Sequence, residues 1–487
     1  MKTRSATFSD ALANVELPES GLSNKRASRP GRGFTLLIGG QLAAKLARFI
    51  AAVVLARALS LSSYGLVNVG IAVSGVTVMV ATLGLNELGV RDVAVHPQRL
   101  DWIAGRVLAA RLLGVLTITL MLAFAAVVGD PSILPVLAVV TLMSLSTASS
   151  SEWLLRGMER MGSLGLAETI GGIVVMAGCL MLAITGATSV LALGVFALGE
   201  AVSAGACWIA AGRSSLPRLG LKGLGAMIRR SWPIGMSSIA FYAYYANIDT
   251  IILATTRSER EAGLYTAAYR LFLAANLVGI VAAYVQLPIL SRAVADGDDT
   301  AASASLKRAL YFLACYGGLV VGVAEVGGHA ILSILFGARF TSMAPVLTLL
   351  CMGIAWYAVG FPAGYTLIAR GQNKKLLAGS ATAAILNIAL NVILIPLVGP
   401  IGAATATFVA FLAASIVWLH AHAMLDRTGL KMLGALTAVT LGGFMVLLLP
   451  ATQLPIGIIT ILVATLIAGN GWRQMPPASR RLGSVFR

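Results

Sequence analysis

The sequence predicts an all-α fold: a polytopic transmembrane helical bundle of about 14 helices. Three observations predict it. Of 487 residues, 58% are hydrophobic and 11% are charged, whereas a soluble chain carries about 25% charged residues. Apolar runs of about 20 residues recur from Phe34 nearly to the end, each long enough to cross a hydrocarbon core of about 30 Å. Lys and Arg concentrate at alternate helix ends, the bias that orients membrane helices.

The elements follow in chain order. Residues 1–33 are polar, rich in Ser and Gly, and basic at Lys25, Arg26, Arg29 and Arg32; they cannot bury a core and read as a mobile cytoplasmic tail. The first apolar run, 34–60, is too long for a signal-peptide core and carries Lys45 and Arg48, so it reads as a retained helix. Five more spans follow at 64–90, 103–128, 132–155, 163–184 and 188–211, completing an amino-terminal lobe over 34–211. Residues 212–228, with Arg213, Pro217, Arg218 and Lys222, form the most polar interior connection and read as a cytoplasmic linker. Spans at 229–256, 262–291, 305–336, 343–369, 376–398 and 400–425 make a carboxy-terminal lobe over 229–425. Region 426–487 adds two helices, 429–450 and 454–471, and a basic tail. Gly129-Asp130-Pro131 and Gly399-Pro400 mark tight reversals between antiparallel neighbours.

With the amino terminus in the cytoplasm, about 27 of the 36 Lys and Arg fall in loops on that side, and an even helix count returns the carboxy terminus there. A repeat supports two lobes. Leu55-Ala56…Ser60…Gly65-Leu66 matches Leu253-Ala254…Ser258…Gly263-Leu264 without a gap. Its partners are six helices apart, so both copies enter the membrane from the same side, related by an axis along its normal. The lobes are expected to be pseudo-symmetric six-helix units.

Ionisable residues at membrane depth cost about 2.5–3.5 kcal/mol each, so each needs a partner, water or a route to the interface. Gln41, Lys45 and Arg48 follow i, i+4, i+7 and share one stripe of the first helix. That stripe is expected to face an aqueous interior as part of a substrate site, and snorkelling to the interface is the alternative. Arg111 is a second cavity candidate. Arg57 reads as an interface anchor, and Arg106 as a snorkelling residue. In the seventh helix Ser238, Tyr242, Tyr245 and Asp249 share a face, and Arg270 in the eighth lies within reach of Asp249 for a buried pair. Tyr242, Tyr245 and Arg270 join the substrate-site candidates; Asp249, Glu168, Glu200 and Glu325 are the ion-coupling candidates, lone carboxylates suited to a proton relay or to a structural role. Glu152 with Arg156 reads as helix-end neutralisation. Asn387 and Asn391 read as helix-to-helix glue.

The net charge of +17 sits in loops rather than in an aromatic-interleaved domain, which argues against a nucleic-acid partner. Cys179, Cys207, Cys315 and Cys351 lie inside apolar runs without metal-ligand spacing and read as small buried hydrophobes. No P-loop, HExxH or GxSxG occurs, and no cofactor, metal or enzymatic activity is expected.

The chain resembles the polysaccharide (oligosaccharide) flippases of the Wzx type, within the superfamily that also holds multidrug exporters and lipid II flippases. The residues that carry the likeness are Leu55 to Ser60 with Tyr64-Gly65-Leu66, Leu83-Gly84-Leu85, Asp249 to Leu253 with Gly263 to Tyr269, Leu335-Phe336-Gly337…Phe340, and Gly399 to Ala404. The resemblance implies a two-lobed bundle in the bacterial plasma (inner) membrane that moves an undecaprenyl-pyrophosphate-linked oligosaccharide between leaflets. It also implies membrane lipid and the polysaccharide polymerase or export machinery as partners. The alternative is an ion-coupled drug or metabolite exporter of the same superfamily.

Overall fold

The computed structural model describes residues 30–212, 219–242, 248–370, 372–421, 427–448, 456–460 and 463. Residues 1–29, the carboxy-terminal tail, Tyr245 and most of the span expected at 454–471 lie outside them. The described chain is helical throughout. We number the helices α1 (Pro30–Ala58), α2 (Leu61–Thr82), α3 (Leu85–Val95), α4 (Leu100–Val128), α5 (Leu134–Ser149), α6 (Glu152–Gly157), α7 (Met161–Thr185) and α8 (Ser189–Ala211). The later helices are α9 (Leu224–Tyr242), α10 (Ile248–Thr256), α11 (Glu259–Ala295), α12 (Asp299–Phe336), α13 (Ala344–Ala369), α14 (Asn373–Val398), α15 (Pro400–Ala421) and α16 (Arg427–Leu448). Among the described residues, ten helices are long and apolar enough to cross a membrane. Large apolar side chains such as Phe124, Ile184 and Ile209 stand exposed on the outside, as lipid contact requires. This is a multi-pass membrane protein.

The differences from the expected spans have local causes. α1 begins at Pro30, inside the stretch expected to be tail; proline suits a first helical turn because its missing N–H would be unpaired there anyway. The span expected at 64–90 is two helices, because Leu83 (φ 35°) and Gly84 (φ 75°) both adopt the left-handed conformation, which an α-helix cannot contain. The break lets the chain meet α9 backbone to backbone: a Cβ on Gly84 would lie 2.4 Å from the Gly235 nitrogen. The span at 132–155 likewise divides at Ser150–Ser151, where Ser150 is extended (φ −61°, ψ 138°) and α6 starts anew at Glu152. At 399 and 400 the expected reversal is present, with Gly399 at φ 61° and Pro400 opening α15.

Helix contacts fall into two sets. In the first, α1 packs along α7, α7 along α8, and α8 along α5. In the second, α12, α13, α15 and α14 pack in succession, and α13 lies almost wholly inside the protein. The sets meet chiefly where α2 crosses α11. There Gly65 and Gly263, equivalent positions of the sequence repeat, lie back to back: a Cβ on Gly263 would fall 2.9 Å from the Gly65 nitrogen, and one on Gly65 would fall 3.1 Å from the Gly263 nitrogen.

Candidate functional site: a charged cavity beside α1

The cavity begins with how α1 packs. Gly40 and Ala44 bring its backbone against Gly165 and Gly172 of α7; a Cβ on Gly40 would lie 2.4 Å from the Gly165 carbonyl oxygen. The Thr169 hydroxyl donates to the carbonyls of Gly40 (3.0 Å) and Gly165 (2.8 Å), pinning the contact. Small residues thus settle which face of α1 is buried. The adjoining stripe, Gln41, Lys45 and Arg48, is left lining a cavity of about 440 Å³.

Five other helices and one turn complete the wall. Thr147 lies in the last turn of α5, and Ser150, Glu152 and Arg156 come from the turn and from α6. Glu168 comes from α7, Glu200 and Ser203 from α8, and Leu277 from α11 of the second set. Arg48 Nη2 pairs with Glu200 Oε1 at 2.7 Å, both partly exposed to the cavity. Gln41 Nε2 donates to Glu168 Oε1 at 3.4 Å. Arg156 pairs with Glu152 one turn away.

The cavity therefore joins residues that the sequence reading assigned to separate roles. Gln41, Lys45 and Arg48 share it with Glu168 and Glu200, whose partners lie 127 and 152 positions away along the chain. Glu152 and Arg156 do form the expected i, i+4 pair, but the pair is cavity wall, on a short helix separated from α5 by the unforeseen break at Ser150–Ser151. Arg111 is not in this wall. It is buried, and its guanidinium donates to the carbonyls of Ser150 (2.8 Å) and Thr147 (3.1 Å) at the end of α5, beside a smaller cavity of about 70 Å³.

Other candidates lie elsewhere. Arg270 does not pair with Asp249: its Nη2 donates to Asn68 Oδ1 of α2 at 3.0 Å, across the junction of the two sets. Asp249 is buried and accepts from the Tyr265 hydroxyl and, at 2.8 Å, from the Thr250 N–H. Glu325 is buried in α12 where Gly443 of α16 packs over it. Asn391 donates to Asn387 within α14 at 3.0 Å. The Tyr242 side chain and all of Tyr245 fall outside the described residues.

Arg57 departs most from its expected role as an anchor. It donates from α1 to the carbonyls of Ile334 and Leu335 (2.8 Å), which end α12. Arg339, in the turn after α12, donates in return to the carbonyls of Ala56 and Leu59 (2.7 Å), which end α1. Each arginine caps the helix of the opposite set, where unsatisfied carbonyls and the helix dipole both favour a cation. Phe49 against Phe336 and Tyr64 against Phe340 add edge-to-face ring contacts at this end. The cavity lies beside the amino-terminal half of α1, and the reciprocal arginine contacts join the two sets at that helix's other end.

Comparison with known proteins places these observations in a family. Residues 31–294 match the family described as polysaccharide biosynthesis protein. A probable low-salt glycan biosynthesis flippase of Haloferax volcanii, Agl15, is 26% identical over 201 residues; the match covers 40% of this chain and 41% of that relative. Among solved structures, the lipid II flippase MurJ in an inward closed conformation superposes with a TM-score of 0.67 at 16% identity, covering 90% of this chain and 99% of its own. An inward-facing multidrug resistance MATE family transporter of the MOP superfamily superposes with a TM-score of 0.59 at 14% identity, covering 83% and 98%. At such identities the likeness shows a shared fold.

Proposed function

The chain belongs to the polysaccharide biosynthesis protein family, and from that premise we propose that it is a lipid-linked oligosaccharide flippase. It would move an undecaprenyl-pyrophosphate-linked glycan across the bacterial plasma membrane by alternating access between lobes 34–211 and 229–425. The observation that carries this reading is the placement of Lys45 and Arg48 together in a cavity of about 440 Å³ within the helical bundle, with the two helix sets joined beyond it by Arg57 and Arg339. A pyrophosphate entering a low-dielectric bundle loses hydration, and cations at that depth offset the loss. Lys45 and Arg48 take the pyrophosphate, Gln41 and Glu168 contact the sugar, and Glu200 exchanges Arg48 with the substrate. Arg270 and Asp249 act at the junction of the lobes, outside the cavity. The polymerase or export machinery receives the product.

The substitutions Lys45→Gln and Arg48→Gln are each expected to lower surface glycan export about tenfold or more, a loss of about 1.4 kcal/mol or more, with membrane abundance unchanged. Arg48→Lys retains part of the activity, because it keeps the charge without the planar fork. The double change Arg48→Gln with Glu200→Gln separates two causes. If loss came only from leaving Glu200 unpaired, the double variant would recover; if the substrate needs the cation, it stays inactive.

The carboxylates Glu152, Glu168 and Glu200 favour a second reading, an exporter of cationic compounds. In that case Lys45→Gln leaves glycan export intact and Glu200→Gln removes drug resistance.

We also propose that both termini and the 212–228 linker are cytoplasmic. Cysteines at Ser23, Ser214 and Ser479 should react with a membrane-impermeant thiol reagent only after the membrane is opened. Labelling of intact cells at any of the three would overturn this orientation.

A further inference from the structure

A pyrophosphate alone would favour a uniformly cationic wall, and this cavity does not have one. Its three basic side chains, Lys45, Arg48 and Arg156, face three acidic ones, Glu152, Glu168 and Glu200. Two pairs are already made, Arg48 with Glu200 and Arg156 with Glu152. Among the described residues this leaves Lys45 and Glu168 as the two charges without an ion-pair partner, Glu168 holding only the 3.4 Å hydrogen bond from Gln41. Gln41 and Lys45 lie one turn apart on the same stripe of α1, about 6 Å along its axis.

A ligand that satisfies this wall brings an anion to Lys45 and, about one turn away, hydrogen-bond donors to Glu168. Ionised carboxylates accept and never donate. Sugar hydroxyls and a sugar ammonium meet that need through charge-assisted hydrogen bonds, whereas a sugar carboxylate placed there repels Glu168 and leaves both groups without donors.

We infer that the cavity selects lipid-linked glycans whose pyrophosphate-proximal sugar is neutral or amino-bearing and rejects those in which it is acidic, with Glu168 reading that sugar. This rests on the flippase reading above and narrows its substrate. The selectivity is an exclusion by like charge as much as an attraction, the device by which a site separates partners of similar size.

The test uses the purified full chain in lipid nanodiscs and four probes: undecaprenyl pyrophosphate alone, and the same lipid carrying one glucose, one glucosamine with a free amine, or one glucuronic acid. Glucose and glucosamine probes are expected to bind about tenfold or more tighter than the glucuronic acid probe. In Glu168→Gln, glucose and glucuronic acid probes should bind within about twofold of each other, and the glucosamine advantage should disappear. Equal binding of glucose and glucuronic acid by the unsubstituted protein overturns the inference irrespective of how the variant folds, and leaves the flippase reading standing if undecaprenyl pyrophosphate binds. If none of the four probes binds, the flippase reading fails and takes the inference with it. Discrimination that survives unchanged in a folded Glu168→Gln protein overturns the assignment to Glu168.

Discussion

Replacing Gly65 by alanine, one methyl group, is expected to abolish or reduce glycan export at least about tenfold while the protein still inserts. Two effects compete. In an isolated helix the change is favourable, since alanine exceeds glycine in helix propensity by about 1 kcal/mol. In α2, however, the new Cβ would lie 1.7 Å from the Glu259 carbonyl oxygen and 2.6 Å from its carbon. Both are backbone atoms of α11, so no side-chain rotation relieves the clash. Overpacking costs about 1–3 kcal/mol when side chains yield, and a backbone obstacle belongs at the upper end. The contact therefore decides the sign. Its cost falls only on the state in which α2 and α11 touch, so the variant populates states open at that end. A cysteine at Thr266, a buried residue of α11 one turn from Arg270, should then become more reactive toward a water-soluble thiol reagent. Gly263→Ala is expected to behave the same way, because its Cβ would lie 2.6 Å from the Leu61 carbonyl oxygen. Normal export by both variants would show that this crossing does not change during transport.

The double substitution Arg57→Gln with Arg339→Gln should open the same end without adding bulk. Together these side chains supply donors to four main-chain carbonyls across the junction. A hydrogen bond to a charged group contributes about 1.5–3 kcal/mol in favourable surroundings. Arg57 is exposed, so its share is discounted toward the lower figure. A combined loss of about 3 kcal/mol shifts a two-state balance by more than about a hundredfold. The expected results are raised labelling at Thr266, impaired export and unchanged membrane abundance. The single variants should fall short of the double by a non-additive margin, because both arginines hold one junction. Unchanged labelling in the double variant would reduce these contacts to helix capping without a role in closure.

The helices and their order were legible from hydropathy because the bilayer imposes one requirement on every spanning segment, a long apolar surface with its backbone bonds satisfied internally. Breaks within spans were harder to read. Leu83-Gly84 offers one glycine beside a residue that rarely adopts φ above zero, and what holds it is the approach of Gly235 from α9, far away in sequence. The stripe Gln41, Lys45 and Arg48 was visible because spacing along one helix follows from its own geometry. Its partners were visible only as unassigned acids. Neither the Arg48–Glu200 pair nor the exchange of caps between Arg57 and Arg339 has a local signal, since an arginine near a helix end has the same sequence context whether it reaches lipid headgroups or another helix.

Membrane insertion, the order of the spanning segments and the likeness to a family are thus legible in this sequence by itself, because each depends on composition, period or order along one strand of chain. Which charges share a cavity, which acid neutralises which base, and which helix ends exchange arginine caps were decided by tertiary structure. The physical reason is that a charge in a low-dielectric bundle is governed by whatever lies within a few ångströms of it. Here those neighbours are brought together by Gly40 against Gly165 and by Gly65 against Gly263, contacts whose meaning appears only once two helices touch.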